Sequence, residues 1–320
     1  MNEPEAPFAN VAIIGLGLIG GSVGLAVHET MPKVRTYGWD ADAHVREVAA
    51  ERNLAHAIPA NIDDAVADAD LVVLCVPVRA MESVAAQLKG KLKPTCVISD
   101  VGSCKKSVAD AIARQLPGQP IVPAHPVAGT EHSGPEAGFA SLFQNRWCIV
   151  TPAEGVDPAH VDKVIAFWRA MGATVETMAP DHHDRVLAVT SHVPHLIAYT
   201  IVGTASDLEE VTRSEVIKYS AGGFRDFTRI AASDPTMWRD VFLSNKDAVL
   251  EILQRFSEDL TALQRAIRWG DGDALFDRFS KTREVRRSII EEGQDDARPD
   301  FGRHDHGDAP GAGMPEDDSD

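Results

Sequence analysis

Hydrophobic residues in the first half of the chain are concentrated in short, continuous runs that are separated by longer amphipathic stretches. Three of these runs are Val11–Ile14, Asp70–Val76 and Thr95–Asp100. Unbroken apolar runs of this length are typical of strands that are buried on both faces of a parallel sheet. The segments between them favour helices, so this half alternates strand and helix. Further strand-like runs occupy Pro120–Pro123, Trp147–Val150 and Ala173–Thr177.

The pattern changes at about Pro180, after which no strand-like run recurs. Apolar residues now follow helical spacing in three long stretches, His182–Gly203, Leu243–Trp269 and Asp273–Glu292. These stretches carry more apolar surface than a segment of about 110 residues buries by itself. We therefore predict an all-helical second domain that completes its core against a second copy of the chain.

A glycine motif, Gly15-Leu16-Gly17-Leu18-Ile19-Gly20, follows the first strand and opens the first helix. Gly15 permits the tight turn after the strand, and Gly17 allows the backbone to approach a pyrophosphate. Gly20 allows the helix to pack closely on the strand. This arrangement of strand, glycine turn and helix is the dinucleotide-binding fingerprint.

The residues around this motif indicate which dinucleotide is bound. The N–H groups of Leu18 and Ile19 belong to a helix N-terminus, which attracts phosphate. Asp40 lies about 20 residues past the last glycine, where a carboxylate accepts hydrogen bonds from the adenosine ribose. A carboxylate there repels a 2′-phosphate, so the pattern predicts NAD rather than NADP. Pro77, at the end of another strand, is predicted to lie at the same cofactor-binding edge.

Together these patterns predict an α/β fold with a Rossmann-type, doubly wound parallel sheet and a C-terminal all-helical domain. We place the NAD-binding domain at residues 8–178 and the helical substrate-binding and dimerisation domain at 179–292. Residues 293–320 contain nine acidic and two basic side chains among many glycines and prolines. That composition predicts a disordered acidic tail.

Charge and composition exclude several classes of protein. The 320-residue chain carries a net charge of −17, which argues against nucleic acid or an anionic membrane as a partner. No apolar run approaches the roughly 20 residues needed to cross a bilayer, and the acidic N-terminus lacks a signal-peptide pattern. Four scattered cysteines form no C-x-x-C pair, which predicts reduced thiols in a cytoplasmic protein without a metal site.

Candidate reacting groups follow the strands at the edge where ligands of such sheets bind. His125 lies in a turn rich in glycine and proline after the run Pro120–Pro123. Its ordinary pKa suits a side chain that takes a proton from a hydroxyl while hydride leaves the same carbon. Ser103, after the run Thr95–Asp100, is placed either to orient His125 or to bond the reacting hydroxyl.

The helical half adds a second group of candidates. His192 and His195 are three residues apart, so they share a helix face on either side of Pro194. Each is either structural or part of the substrate pocket. Arg225 and Arg229 are equal candidates for binding a carboxylate through two parallel hydrogen bonds.

Five segments together resemble the prephenate and arogenate (cyclohexadienyl) dehydrogenases of tyrosine biosynthesis over about residues 8–290. They are Gly15–Gly20, Asp100–Ser103, His125–Glu131, Ser191–His195 and Gly222–Asp240. The segments HPVAGTE and GGFRDFTRIAASDPTMWRD are the specific ones. The resemblance implies a homodimer that catalyses the NAD-dependent oxidative decarboxylation of prephenate to 4-hydroxyphenylpyruvate.

The resemblance also implies roles for individual residues. His125 accepts the proton of the C4 hydroxyl, with Ser103 beside it, and no metal is required. His195 lines the substrate pocket, and Arg229 rather than Arg225 binds the substrate carboxylate. Positions near the pocket, with roles less defined by the family, are His192 and Trp238.

Three alternatives remain open at this point. An arogenate-specific enzyme has the same motifs, because the two substrates differ only in a keto or amino group. A β-hydroxyacid or 6-phosphogluconate-type dehydrogenase uses a catalytic lysine; Lys218 and Lys246 are available in the helical half, but neither lies in such a sequence context. An inactive NAD-binding sensor is the third. If tyrosine inhibits the protein, the resemblance implies competition at the active site.

Overall fold

The computed structural model describes residues 6–130, 132–207 and 222–291. The predicted acidic tail at 293–320, Glu131 of the HPVAGTE segment and Lys218 lie outside the described residues. By their contacts the residues group into two units, one of 1–220 with 227–254 and one of 221–226 with 255–320. The division predicted from the sequence, between residues 178 and 179, stays a prediction.

The elements follow the alternation that the hydrophobic runs predict. The strands are β1 (Asn10–Ile14), β2 (Arg35–Trp39), β3 (Leu71–Leu74), β4 (Val97–Asp100), β5 (Ala124–Pro126), β6 (Trp147–Val150) and β7 (Thr174–Thr177). The helices before Pro180 are α1 (Leu18–Thr30), α2 (Ala43–Glu51), α3 (Ile62–Val66), α4 (Met81–Leu88), α5 (Lys106–Gln115) and α6 (Pro158–Ala170). The later helices are α7 (Pro180–Leu187), α8 (Val193–Ser206), α9 (Gly222–Thr228), α10 (Pro235–Ser244), α11 (Lys246–Trp269) and α12 (Gly272–Glu291).

The first sheet is wholly parallel, with strand order β2-β1-β3-β4. Successive residues of a strand face opposite sides, and here both sides are apolar and buried. Ile13 and Val73 join one core cluster with Phe167 of α6, whereas Ile14 and Leu74 join the cluster beneath α3, α4 and α5. Helices therefore cover both faces, and the predicted doubly wound Rossmann-type sheet is confirmed.

The second sheet differs from the prediction. Its order is β5-β6-β7, with β5 antiparallel to β6 and β6 parallel to β7. The run Pro120–Pro123, predicted as a strand that precedes His125, forms only a single bridge from Ile121 to Ile98. Proline has no N–H to donate, so Pro120 and Pro123 each remove a donor that a regular ladder over this run would use. The strand begins later, and His125 is its central residue.

The loop that follows β5 is tied to the first half of the sheet. The Arg52 guanidinium, at the end of α2, donates to the carbonyl oxygens of Pro135 and Gly138. The N–H of Phe139 donates to Ser22 Oγ of α1 at 3.0 Å. The loop that follows the His125 strand is therefore connected to the helix that follows the glycine motif.

The long helix predicted at His182–Gly203 spans Pro180–Ser206 and contains a π-helical turn at Ala188–His192. Pro194 follows this turn directly, in the first turn of α8. A proline lacks the N–H that a continuous α-helix needs, and the π-turn changes the hydrogen-bond pattern at that place. Such turns are frequent at functional sites.

The same helical run contradicts the expectation that no apolar run approaches the roughly 20 residues needed to cross a bilayer. Pro180–Ser206 is long and apolar enough, by length and composition alone, to cross a membrane. One such helix is weak evidence for a membrane segment. Its polar residues His183, Asp184 and His192 are buried within the unit that holds the sheet.

The helix predicted to begin at Leu243 begins at Lys246 instead. Asp234 caps α10 by accepting the N–H of Met237, and α10 extends to Ser244. Asn245 then interrupts the helical run, with its N–H bonded to the carbonyl oxygen of Val241. This break leaves the Asn245 side chain buried beside α7 and the π-turn rather than on a helix face.

Candidate active site

The glycine motif has the geometry of a dinucleotide-binding loop. Gly15 has a φ of +98°, and a Cβ there would lie 2.4 Å from the Cys75 carbonyl oxygen. A Cβ on Gly20 would lie 1.9 Å from the Gly15 carbonyl oxygen, so α1 packs on the turn as predicted. Gly17, by contrast, has no atom within 4 Å of its Cβ position, which leaves that side of the loop open.

The surroundings of this loop fit a bound NAD. No described side chain caps the N-terminus of α1, so the N–H groups of Leu18 and Ile19 stay available for a pyrophosphate. Asp40 follows β2 directly and accepts the N–H of Leu16 at 2.9 Å. That bond places its carboxylate against the glycine loop, where an adenosine ribose would lie. Pro77 begins the short turn after β3, near the same edge.

His125 is held by a chain of hydrogen bonds that the sequence did not reveal. Its Nδ1 lies 2.9 Å from Nε2 of His183, and Nδ1 of His183 lies 2.8 Å from Oδ1 of Asp184. The Asp184 carboxylate also accepts the backbone N–H groups of Lys105 at 2.7 Å and Lys106 at 3.0 Å. His125 is 8% exposed, and no described residue bonds its Nε2. Nε2 is therefore the nitrogen left for a substrate.

The electrostatics of this chain of hydrogen bonds favour uncharged imidazoles at His125 and His183. Burial lowers the pKa of His125 well below its ordinary value, and nearby His183 and Lys105 act in the same direction. Burial likewise lowers the pKa of His183. Burial raises the pKa of Asp184, but the hydrogen bonds from His183 and two backbone N–H groups more than offset this, and the net shift is downward. Near neutral pH we therefore expect His125 to be neutral and Asp184 to be ionised.

A buried ion pair fixes the strand beneath His125. Lys105 Nζ lies 2.5 Å from Oδ2 of Asp100 at the end of β4, and both side chains are 0% exposed. The same ammonium donates to the Ala124 carbonyl oxygen at 2.6 Å. Burial raises the pKa of Asp100, and the Lys105 charge acts in the opposite direction. Lys105 thereby links β4 to the residue that precedes His125.

Ser103 lies in the loop between β4 and α5, as predicted. The orienting contact on Nδ1 of His125 comes from His183 rather than from Ser103. The other role predicted for Ser103, a hydrogen bond to the reacting hydroxyl, stays a prediction.

Trp238 of α10 is the centre of a second cluster. The His195 ring stacks on the Trp238 ring with centroids 3.6 Å apart, and the His192 ring meets it edge-on at 6.0 Å. Nδ1 of His192 lies 3.0 Å from Nδ2 of Asn245, whose amide also donates to the Asp184 carbonyl oxygen. This amide joins the cluster to the hydrogen-bond chain on His125.

Two buried nitrogens in this cluster have no hydrogen-bond partner among the described residues. They are Nε2 of His192 and Nε1 of Trp238. Burial lowers the pKa of His192 to about 4 and also lowers the pKa of His195. An indole N–H, and the Nε2–H of a neutral His192 whose Nδ1 faces the Asn245 amide, are hydrogen-bond donors. Buried donors of this kind suit a polar ligand group or a bound water molecule.

The two candidate arginines differ in their surroundings. Arg229 is exposed at the start of a short turn after α9, and its charge lowers the pKa of His195, which places it beside the Trp238 cluster. No described carboxylate pairs with it. Arg225 lies in the other unit, where its guanidinium is 3.5 Å from a carboxylate oxygen of the neighbouring Asp226.

Sequence reasoning placed His125, His192, His195 and Trp238 among the candidates, and the structure gathers them in one unit. Sequence reasoning did not identify His183, Asp184 and Asn245. The signal for the first two was the adjacent His183-Asp184 pair at the start of an apolar helix. Asn245 carried no signal, because only the break between α10 and α11 turns it inward.

Comparisons with known proteins identify the family to which this chain is similar. The chain matches the family models described as the nucleotide-binding domain and the dimerization domain of prephenate dehydrogenase, over residues 23–177 and 179–281. It is 44% identical over 282 residues to a cyclohexadienyl dehydrogenase of Zymomonas mobilis, which covers 88% of this chain and 96% of that one. It is 32% identical to a prephenate dehydrogenase of Bacillus subtilis, over 87% of this chain and 76% of that one.

A solved structure is similar over nearly the whole chain. The prephenate dehydrogenase of A. aeolicus, in complex with hydroxyphenyl propionate and NAD+, superposes with a TM-score of 0.83. It is 31% identical in sequence, and the match covers 90% of this chain and 100% of that one.

Proposed function

This chain belongs to the prephenate dehydrogenase family, and on that premise we propose that it oxidises and decarboxylates prephenate to 4-hydroxyphenylpyruvate with NAD. It is an NAD-dependent dehydrogenase. The observation that carries the proposal is the buried, neutral His125, whose Nε2 has no described partner.

The reaction needs a base, a cation and an oxidant. When bound, NAD supplies the oxidant by taking up two electrons and a hydrogen from the substrate ring. Nε2 of His125 takes the proton of the C4 hydroxyl, and the oxygen becomes a carbonyl as C4 gives up its hydrogen with an electron pair. The C1–carboxylate bond then breaks, CO2 leaves, and the electron pair of that bond moves through the ring to the oxygen, which takes the proton back from His125 to give the phenol. Aromatisation drives the step, so the protein mainly positions the ring and holds the proton.

The Trp238 cluster supplies the substrate pocket in this proposal. Arg229 binds a carboxylate of the substrate, because a guanidinium forms two parallel, charge-assisted hydrogen bonds with it. His195 and Trp238 form a stacked wall beside it, and His192 donates from its buried Nε2. Tyrosine also carries an aromatic ring and a carboxylate, so we expect it to compete for this pocket.

One assay separates this function from the alternatives. Absorbance at 340 nm is followed with NAD and either prephenate or arogenate, and parallel kinetics with the two substrates assign the preference. A sensor gives no signal with either, and a β-hydroxyacid dehydrogenase responds to neither ring compound. We propose prephenate as the main substrate, with arogenate activity in addition. The relative named a cyclohexadienyl dehydrogenase supports both.

Asp40 is expected to set the preference for NAD. In Asp40→Ala the ribose loses a charged acceptor and a 2′-phosphate loses a repelling charge, so the ratio of kcat/KM for NAD over NADP should fall at least ~10-fold. The ratio is measured at saturating prephenate. Glu47→Ala, which removes an exposed carboxylate on α2, is the control and should leave it unchanged. A wild-type protein that prefers NADP would contradict this assignment.

We also propose that two copies of the chain associate through the helices of the second unit. The matched family model for residues 179–281 is a dimerization domain. Trp269 and Phe276 are 73% and 71% exposed, and Ile267, Phe279 and Val285 are exposed as well. Large apolar side chains left exposed in this number mark a protein interface.

Phe276→Asp should therefore weaken the dimer, because it buries a charge in an apolar interface. Light scattering at micromolar concentration should show a shift from about twice the chain mass of 34.5 kDa towards one chain. Lys163→Asp is the control, since its exposed side chain lies on α6, in the other unit. A variant that stays dimeric, or a monomeric wild type, would refute the proposed interface.

We propose a cytoplasmic location. The apolar helix Pro180–Ser206 contributes His183, Asp184 and His192 to the buried site, and a lipid-facing segment would not accommodate them.

A further inference from the structure

The direction of the hydrogen bonds in the chain His125–His183–Asp184 decides where each proton lies. Both links are short, at 2.9 Å and 2.8 Å, and all three side chains are buried. Hydrogen bonds in such a chain must run in one direction, because each neutral imidazole has one N–H and one lone pair.

The direction is set at Asp184. Its Oδ1 accepts the N–H of Lys105 and its Oδ2 accepts the N–H of Lys106, at the start of α5. These bonds favour the ionised carboxylate, which can only accept hydrogen bonds. The pKa of Asp184 is accordingly below its ordinary value despite its burial. Nδ1 of His183 must therefore be the donor in the bond to Asp184.

The remaining protons follow from this first one. A neutral His183 with its proton on Nδ1 has a lone pair on Nε2. That lone pair accepts a hydrogen bond from Nδ1–H of His125, which leaves Nε2 of His125 without a proton. These hydrogen bonds thus hold His125 in the tautomer in which Nε2, the nitrogen left for the substrate, carries no proton and can act as a base.

We propose that His183 and Asp184 are positioning residues for His125 in the reaction described above, on which this inference rests. They fix the tautomer and orientation of the His125 ring. When the O–H bond of the substrate breaks and Nε2–H forms, they also stabilise the resulting imidazolium through Nδ1–H. Lys105, a charged group that lowers the pKa of His125, opposes that positive charge, so Asp184 supplies the compensating negative charge through His183.

Asp184→Asn tests this directly. Three donors, Nδ1–H of His183 and the two backbone N–H groups, would face an amide that has only one oxygen. His183 can relieve this by moving its proton to Nε2, which reverses the chain and protonates the wrong nitrogen of His125. We expect kcat to fall by about 10²–10⁴-fold, while KM for prephenate and Kd for NAD stay within about 3-fold.

Asp181→Asn is the matched control. Asp181 lies on the same helix and loses the same charge, but its carboxylate is exposed and pairs with Lys106 Nζ at 2.8 Å. It should keep its turnover. Thermal unfolding of both variants, with and without NAD, establishes that they are folded.

A second pair of variants keeps the test decisive if Asp184→Asn does not fold. In His183→Gln the amide oxygen can still accept from Nδ1–H of His125 and the amide nitrogen can still donate to Asp184. In His183→Leu neither bond forms. The glutamine variant should retain at least ~10-fold more kcat than the leucine variant at similar KM, a rescue that a merely structural role does not predict.

The outcomes separate this inference from the proposed function. If His125→Asn loses turnover but Asp184→Asn and His183→Leu keep it, His125 remains the base and the positioning role is overturned. Equal turnover of His183→Gln and His183→Leu also overturns it. If His125→Asn itself keeps turnover, the proposed base is wrong and the inference fails with it.

Discussion

His125→Asn is expected to lower kcat for prephenate oxidation by about 10²–10⁴-fold, the range for loss of a general base. Asparagine can still donate to His183 from about the position of Nδ1, so the ring pocket keeps its shape. It has no group that accepts a proton at the position of Nε2. The KM for prephenate and the affinity for NAD should therefore stay within a few-fold of the wild-type values, as measured by steady-state kinetics at 340 nm.

The pH profile provides an independent check on His125. Burial and the neighbouring His183 and Lys105 hold its pKa well below 6.5. The base is active when neutral, so kcat/KM should be level around neutral pH and fall only as the pH drops through this lowered pKa. An acid limb centred at 6.5 or above, or near-normal turnover of His125→Asn, would remove His125 from this role.

Arg229→Ala is expected to raise the KM for prephenate at least ~10-fold while the affinity for NAD is unchanged. The guanidinium has no described carboxylate partner and lies near His195, so the substrate is the anion left for it to bind. Loss of a charge-assisted, bidentate contact costs about 1.5–3 kcal/mol, which corresponds to about 10–150-fold in affinity. Arg229→Lys should recover only part of the loss, because an ammonium cannot form both parallel bonds.

Arg225→Ala is the control for this prediction. Arg225 and the neighbouring Asp226 form an exposed ion pair, and such pairs contribute little to stability. The variant should keep its KM for prephenate within about 3-fold. If Arg225→Ala showed the binding defect and Arg229→Ala did not, the carboxylate-binding role would belong to Arg225.

Local geometry made the nucleotide-binding half predictable from the sequence. Gly15 and Gly20 are required by contacts within a single strand–turn–helix unit, where a Cβ would meet backbone atoms at 2.4 Å and 1.9 Å. The apolar runs likewise encode strands that are buried on both faces, whichever helices cover them. Such constraints act over short stretches of chain, so they leave a readable pattern in the residues themselves.

Strand boundaries and helix breaks were less predictable. His125 was expected after a strand but lies within one, because prolines on both sides of Ile121 and Val122 each remove a donor from an earlier ladder. The break at Asn245 was hidden in a continuous helical pattern. There the Asn245 amide forms hydrogen bonds to Asp184 and His192, which are distant in sequence, so local helix preference did not decide the conformation.

The sequence by itself determined the first, parallel sheet and the glycine loop, and it identified His125 as the candidate base. Only the tertiary structure decided which nitrogen of His125 is bonded to His183 and which has no partner among the described residues. His183 and Asp184 lie 58 and 59 positions from His125, and their hydrogen bonds exist only because α7 packs beside β5 and the start of α5. A proton position depends on the whole chain of donors and acceptors, and no spacing along the sequence records it.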